Sequence, residues 1–182
     1  MLEIIFGVIA ALVVIVGVIL LMASRKPDSF AYARTRRIAA SPEALFAMIN
    51  DLRQMNRWNP YALREKGGKA DYSGAPSGPG QRFDFAGSKS GTGFVEILES
   101  TPASSVVMRL AMVKPFKFDN RVDFTIRPMD SGTDVTWAMS GKQPLLGKAM
   151  LLFIDWDKMM GRDFEEGLSN MKKLAEAPAT VA

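Results

Sequence analysis

Residues 118–127 read FDNRVDFTIR and show the clearest strand pattern in the chain. Apolar or uncharged side chains alternate with charged or hydroxyl side chains along its whole length. A period of two predicts a strand with one dry face and one wet face, as in antiparallel sheets. The predicted dry face consists of Phe118, Asn120, Val122, Phe124 and Ile126. Asn120 interrupts this face, and a buried amide needs hydrogen-bond partners.

The same alternation recurs on both sides of this stretch. It predicts further strands over 81–86, 93–100, 105–113 and 133–140, and a short strand near 70–73. The segments between them contain the Gly, Pro, Ser and Asp residues that favour turns. Another strand is predicted over 30–40, ahead of two short helices that Ser41 and Asp51 can cap.

The period changes after Pro144. Residues 145–154 are apolar on almost every side, and an amphipathic helix is predicted from Asp155 to Glu176. An antiparallel sheet with one dry face needs a cover, and only this helix is long enough. The predicted fold class is therefore α+β, with a curved antiparallel sheet wrapped around a long C-terminal helix and a cavity between them.

Residues 4–23 contain no polar side chain. At 1.5 Å per residue they span about 30 Å, the thickness of the hydrocarbon core of a bilayer. A cleavable signal peptide is the alternative, but its basic start and small-residue cleavage site are missing. Arg25 and Lys26 follow the run, so the positive-inside rule predicts a single-pass membrane protein with its N-terminus outside and its soluble domain in the cytoplasm.

We divide the chain into an anchor over 1–23, a linker over 24–29, a ligand-binding domain over 30–176 and a flexible tail over 177–182. The 182 residues include no cysteine and no histidine, so Ser-His-Asp and Cys-His sites cannot form within the chain. We predict no metal, no cofactor and no catalytic residue set. The net charge of +4 comes from basic residues scattered among acidic ones, which indicates anionic lipid headgroups rather than nucleic acid as a partner.

Five strings of sequence carry a family resemblance. They are RTRRIAASPEALF at 34–46, IND at 49–51, RWNPY at 57–61, GTDVTW at 132–137 and GRDFEEGLSNMK at 161–172. In these strings the chain resembles the SRPBCC superfamily, the helix-grip fold of START-like lipid-binding domains and polyketide cyclase/dehydrase-like proteins. The resemblance covers about residues 30–175 and implies a hydrophobic small molecule or lipid bound in the cavity. Only some members of that superfamily catalyse a reaction, and it has no universal catalytic residues to carry over.

The candidate cavity residues come from the predicted dry strand faces, the stripe of the long helix and the aromatic pair beside Asn59-Pro60. They are Trp58, Tyr61, Phe83, Phe85, Met108, Met112, Asn120, Trp137, Met139, Met160, Phe164 and Gly167. Ligand pockets are predominantly apolar with a few placed polar groups, which this set matches. Each has a structural alternative: the large side chains can be ordinary core, Asn120 can pair with backbone, and Gly167 can mark a close helix–sheet contact.

Three functions remain open from the sequence. The leading interpretation is a membrane-tethered protein that binds, transports or presents a hydrophobic small molecule or lipid. The second is a cyclase- or dehydratase-like enzyme in which Glu96, an Arg or a Tyr transfers protons, which requires that group to face the cavity. The third is a scaffold whose interior is filled by its own side chains.

Overall fold

The computed structural model describes residues 1–65 and 67–178. The elements, in chain order, are α1 (Leu2–Ser24), β1 (Ser29–Ile38), α2 (Pro42–Ile49), α3 (Leu52–Met55), α4 (Pro60–Arg64), β2 (Lys69–Gly74), β3 (Gln81–Gly87), β4 (Gly91–Thr101), β5 (Ser105–Lys114), β6 (Phe118–Met129), β7 (Gly132–Lys142), α5 (Leu145–Met150) and α6 (Trp156–Ala175). The end of the predicted tail, residues 179–182, lies outside the described residues.

The strands form one seven-stranded antiparallel sheet in the order β1-β7-β6-β5-β4-β3-β2. The first and last strands of the chain are neighbours, and α6 lies mainly against β1. In β7, Val135, Trp137 and Met139 are buried and their neighbours are half-buried, which is the expected period of two. The predicted fold class is confirmed: a curved antiparallel sheet holds a long C-terminal helix.

The short helices begin where side chains can accept backbone hydrogen bonds. Ser41 Oγ accepts from the N–H of Ala44 at 3.3 Å, and a carboxylate oxygen of Asp51 accepts from the N–H of Arg53 at 2.9 Å. Asn59 does the same for Tyr61 at 3.1 Å. Asn59-Pro60 therefore starts helix α4, a third short helix beyond the two that the sequence predicted. The apolar stretch over 145–154 is helical only in its first part, since α5 ends at Met150.

Aromatic rings form the centre of the core between the sheet and its helices. Trp58 meets Trp137 edge-on at 5.7 Å between ring centroids, and Trp137 stacks on Phe164 of α6 at 4.6 Å. Such pairs contribute about 0.5–1.5 kcal/mol beyond the burial of their area. The core cluster runs from Ile38 to Met171, so helix α1 contributes no residue to it.

Helix α1 is long and apolar enough to cross a membrane from Glu3 to Ser24, criteria that a signal sequence also meets. Among its described side chains, Ala23 is buried and Ile19 is half-buried, while the others are exposed. Helix α5 is the element that α1 packs against, and Lys148 of α5 forms an ion pair with Asp28 in the linker. The C-terminal end of α1 is therefore joined to the domain, and the rest of α1 projects from it.

Candidate functional site

The strand register sorts the dry-face residues of the sheet into rows that run across it. Two adjacent rows are buried beneath the helices. One contains Met139, Val122, Met108 and Ile97, and the next contains Trp137, Phe124 and Val106. Helix α2 contacts β5 and β6 here, and α6 contacts β7. This half of the dry face is packed core.

Two further rows of the dry face, next to the packed rows, are largely left uncovered by the helices. We call them the open end of the dry face. The first row contains Phe30, Gly141, Asn120, Leu110, Val95, Phe83 and Tyr72, and the second contains Phe118, Met112, Gly93, Phe85 and Ala70. Most of these residues are half-buried, and Phe118 is exposed. A row of large apolar side chains that remains accessible on a concave sheet is the surface that an apolar ligand would cover.

Two glycines let side chains fold down onto the open end. A Cβ at Gly141 would collide with the amide oxygen of Asn120 and lie 3.0 Å from the ring of Phe30. A Cβ at Gly93 would lie 2.9 Å from the sulfur of Met112 and 3.0 Å from the ring of Phe85. The side chains beside each glycine therefore lie against the glycine backbone. Met112 has three rotatable bonds and can move aside for another apolar group.

The amide of Asn120 has weak partners for a buried group. Asn120 is 7% exposed, and its Nδ2 donates to the sulfur of Met139 at 3.8 Å. A thioether is a weak acceptor, so this contact satisfies little of the donor capacity of the amide. Asn120 does not pair with backbone through its side chain, which was the structural alternative. It is a polar group held in an apolar surface.

The indole N–H of Trp137 is a second polar group on the dry face. Trp137 is 4% exposed, and its Nε1 has no hydrogen-bond acceptor among the described residues. A buried donor left without a partner costs about 1–3 kcal/mol. Trp137 lies two positions from Met139 on β7, so its indole and the amide of Asn120 are on the same face of adjacent strands.

Helices α4 and α6 meet at the edge of the dry face. Tyr61 of α4 contacts the sulfur of Met160 of α6 through its hydroxyl at 3.9 Å. Arg64 clamps the two helices together, donating to Asp163 at 2.7 Å and also to Glu166. Burial, and then the negative charge of Asp163, raise the pKa of Tyr61, so its phenol stays protonated.

The predicted space between sheet and helix is not found at Gly167. A Cβ there would lie 2.6 Å from the ring of Trp137 and 3.0 Å from the ring of Pro60, so this glycine is a close helix–sheet contact. Six candidates lie in this packed core: Trp58, Met108, Trp137, Met139, Phe164 and Gly167. Phe83, Phe85, Met112 and Asn120 lie together on the open end, and Tyr61 and Met160 contact each other on the helices.

Two open clefts also lie away from the sheet–helix interior. One, about 450 Å³, is lined by residues of α2 and α3 and by Ser77. The other, about 490 Å³, is lined by Arg109, Arg121 and Ser140 of the outer face and also by Phe30, Asn120 and Gly141 of the open end. Both clefts are open to solvent rather than enclosed. Among the described residues no cluster of His, Cys, Asp and Glu is placed to hold a metal ion.

The sequence interpretation missed several members of the open end. Phe30 is followed by an alanine at the start of β1 and faces Gly141 across the β1–β7 ladder. The period of two in this strand was the available signal. Val95 and Leu110 face each other in the next strands and were also assignable from alternation. Tyr72 belongs to a strand too short to show a pattern of its own.

Comparison with known proteins places this fold in a family. Residues 29–176 match the family described as polyketide cyclase / dehydrase and lipid transport. The chain belongs to this family. No curated protein matches the sequence.

Solved structures share the fold of this family member at low sequence identity. Protein CV1439 from Chromobacterium violaceum gives a TM-score of 0.60 at 16% identity, over 84% of this chain and 100% of that one. Protein MLL2253 from Mesorhizobium loti gives 0.59 at 19% identity, over 80% and 96%. The di-domain ARO/CYC StfQ from the steffimycin biosynthetic pathway gives 0.58 at 9% identity, over 81% of this chain and 51% of StfQ.

Glu96, the candidate acid if the protein is an enzyme, does not lie on the dry face of the sheet. Glu96 faces Arg82 and Arg109 across its two neighbouring strands, whereas Val95 and Ile97 lie on the dry face. Glu96 therefore faces outward, and the condition that it turns inward is not met. The dry-face rows described above, extended across β1 to Tyr32 and Arg34, carry no Asp, Glu or Lys. Their titratable groups are tyrosines and arginines, such as Tyr32, whose pKa is raised by burial and then by Asp157 and Asp155.

Proposed function

We propose that this protein binds a hydrophobic small molecule or lipid on the open end of the dry face, while helix α1 tethers it to a membrane. The observation that carries the proposal is the combination of accessible apolar rows with Asn120, a nearly buried amide whose described side-chain hydrogen bond goes to a sulfur. Apolar area supplies affinity at roughly 25 cal/mol per Å², and one or two polar groups fix orientation. Membership of a family named for both cyclisation and lipid transport supports a ligand of this class.

Tethering gives the binding surface direct access to such a ligand. A hydrophobic molecule is concentrated in the bilayer, and a domain held beside it meets the molecule at high effective concentration. Arg25 and Lys26 at the end of α1 support an orientation with the N-terminus outside and the domain in the cytoplasm.

The catalytic alternative lacks a general base among the described residues of the dry face. Tyr32 and Tyr61 have raised pKa values because both are shielded from water, so neither is a base at neutral pH. Arginine stays protonated as well. This supports binding, transport or presentation of the ligand over a cyclase- or dehydratase-like reaction.

The test is ligand binding by the full chain in detergent, with Asn120→Leu as the variant. A lipid co-purified with the wild type is identified by native mass spectrometry, and affinity is measured with an environment-sensitive fluorescent fatty acid. The amide of Asn120 has no strong hydrogen-bond partner that the substitution would leave unpaired. We therefore expect Asn120→Leu to leave the free energy of unfolding nearly unchanged. Loss of one hydrogen bond to the probe should weaken binding about tenfold, or about 1.4 kcal/mol.

Met139→Leu is the matched control, because it nearly keeps the side-chain volume beside Asn120 and replaces the thioether by a hydrocarbon. We expect it to leave both stability and affinity nearly unchanged. If the wild type binds neither lipid nor probe, the scaffold interpretation replaces binding. The same conclusion follows if Asn120→Leu loses stability and affinity in strict proportion.

A further inference from the structure

Exposed apolar side chains outside α1 gather in two segments. Most of the large ones belong either to the β5–β6 hairpin or to the stretch from α5 to the start of α6. They are Val113, Phe116 and Phe118 in the first segment, and Leu145, Leu146, Phe153, Ile154 and Met159 in the second. Phe116 is 64% exposed and Phe153 is 74% exposed. Exposing several large apolar side chains together to water is unfavourable, and such a patch is typical of a surface that binds an apolar partner.

The strand register places both segments at the same end of the domain. Asn120, just after the β5–β6 hairpin, faces Gly141 near the end of β7, and Gly141 faces Phe30 at the start of β1. Helix α5 follows β7 after Gln143 and Pro144. The hairpin tip, α5 and the entry of the chain from α1 therefore lie side by side.

Helix α1 fixes how far this end can lie from a membrane. Only four residues separate Ser24 from Ser29, so at full extension the two are at most about 18 Å apart. The actual connection is tighter. Ile19 and Ala23 are the covered residues of α1, α5 is the element it packs against, and Gln143 donates its N–H to the carbonyl of Asp28 at 2.7 Å. Helix α5 is thus beside the last turns of a helix whose length matches a bilayer.

The charges at this end favour an anionic lipid surface. Lys114 and Lys117 flank Phe116, and Arg25 and Lys26 follow α1. None of these four forms an ion pair with a described carboxylate, whereas the nearby Asp119 pairs with Arg109. Basic residues next to exposed aromatic and aliphatic side chains are typical of segments that rest in the headgroup layer.

We propose that the β5–β6 hairpin and the stretch from α5 to the start of α6 form a membrane-docking face that inserts Phe116 and Phe153 into the bilayer spanned by α1. This inference rests on the tethering part of the proposed function. It goes further, because the docked domain lies on the lipid rather than swinging on its linker. Phe118 and Met112, the outer row of the open end, then face the lipid surface, so a hydrophobic ligand passes between bilayer and sheet without crossing water.

Fluorescence quenching by lipids tests the docking face. Because the chain contains no cysteine, single cysteines can be placed and labelled with a polarity-sensitive fluorophore. The full chain is reconstituted in vesicles of phosphatidylcholine and phosphatidylglycerol that carry a nitroxide-labelled lipid. Phe116→Cys and Phe153→Cys probe the docking face. Met129→Cys is the matched control, since Met129 is 47% exposed at the opposite end of β6.

Gly17→Cys in the middle of α1 reports the tether, since no described atom of another element lies near Gly17. We expect strong quenching at position 17, and quenching at 116 and 153 several-fold greater than at 129. Replacing phosphatidylglycerol by phosphatidylcholine should reduce quenching at 116 and leave position 17 unchanged.

The outcomes separate the two proposals. If position 17 is quenched but positions 116 and 153 are quenched no more than position 129, the docking-face proposal is wrong and the membrane tether is still supported. Absence of quenching at 17 overturns both. Labels at 116 and 153 that are shielded from a water-soluble quencher but not reached by the lipid nitroxide would mean that a protein partner covers this face, which also overturns the proposal.

Discussion

At the scale of single residues, the absence of a Cβ in Gly167 allows α6 to lie close to the sheet. A Cβ at this position would lie 2.6 Å from the Trp137 ring, closer than real Cβ contacts come. We expect Gly167→Ala to lower the free energy of unfolding by about 1–3 kcal/mol through overpacking. Chemical denaturation of the detergent-solubilised full chain, followed by near-ultraviolet circular dichroism, measures the change.

Gly147→Ala in α5 is the control for helix propensity. Its new Cβ would first meet the flexible amide end of Gln143, at 2.8 Å, which can move away. The change in free energy should stay within about 0.5 kcal/mol, or favour the folded state. Equal effects of the two substitutions would show that α6 can shift away from the sheet, and the close-contact interpretation of Gly167 would then be wrong.

At the scale of elements, ion pairs across strands predict how stability depends on pH. Hydrogen bonds from Arg37 to Asp134 join β1 to β7, and those from Arg109 to Asp119 join β5 to β6. Both arginines hold the pKa of the partner carboxyl below its ordinary value of 3.8. A carboxyl with a lowered pKa in the folded state stabilises the fold above its unfolded pKa, and the stabilisation is lost as the pH falls through the folded pKa.

Stability should therefore be nearly constant from about pH 6 to about pH 8, since the chain has no histidine, and should fall below about pH 4. The fall is expected to be modest, because these pairs are largely exposed. Urea denaturation midpoints across this range measure it. Asp134→Asn should lower the midpoint at neutral pH and flatten the acid decline. A midpoint that changes as much between pH 6 and 8 as below pH 4 would contradict this assignment.

The sequence predicted the strands and caps well because their signals are local. Alternation assigns Val122 and Phe124 to the dry face without knowledge of any other strand, and Ser41 needs only the next turn of its own helix. Gly167 could have marked either space for a ligand or a close helix–sheet contact. The outcome depends on Trp137 and Pro60, which are distant from Gly167 in sequence, so the residue spacing within α6 could not distinguish the two. The open end became visible only when the register aligned Asn120 with Gly141 and Phe30.

At the scale of the whole molecule, one prediction concerns which side of the membrane the domain occupies. Positively charged residues resist translocation, and Arg25 and Lys26 directly follow the apolar helix. At the opposite end of that helix, the charged side chain is the acidic Glu3. The domain, with its further lysines at the proposed docking face, should therefore remain in the cytoplasm.

Cysteine accessibility in intact cells measures this orientation, using a membrane-impermeant thiol reagent on the full chain. Met129→Cys lies on the domain and should react only after the membrane is permeabilised, while Glu3→Cys, at the N-terminal end of the span, should react in intact cells. The expected asymmetry follows because the two positions flank a helix whose length matches the hydrocarbon core. Reaction at 129 in intact cells would reverse the orientation, and a mature N-terminus beyond residue 23 would show that α1 is a signal sequence rather than an anchor.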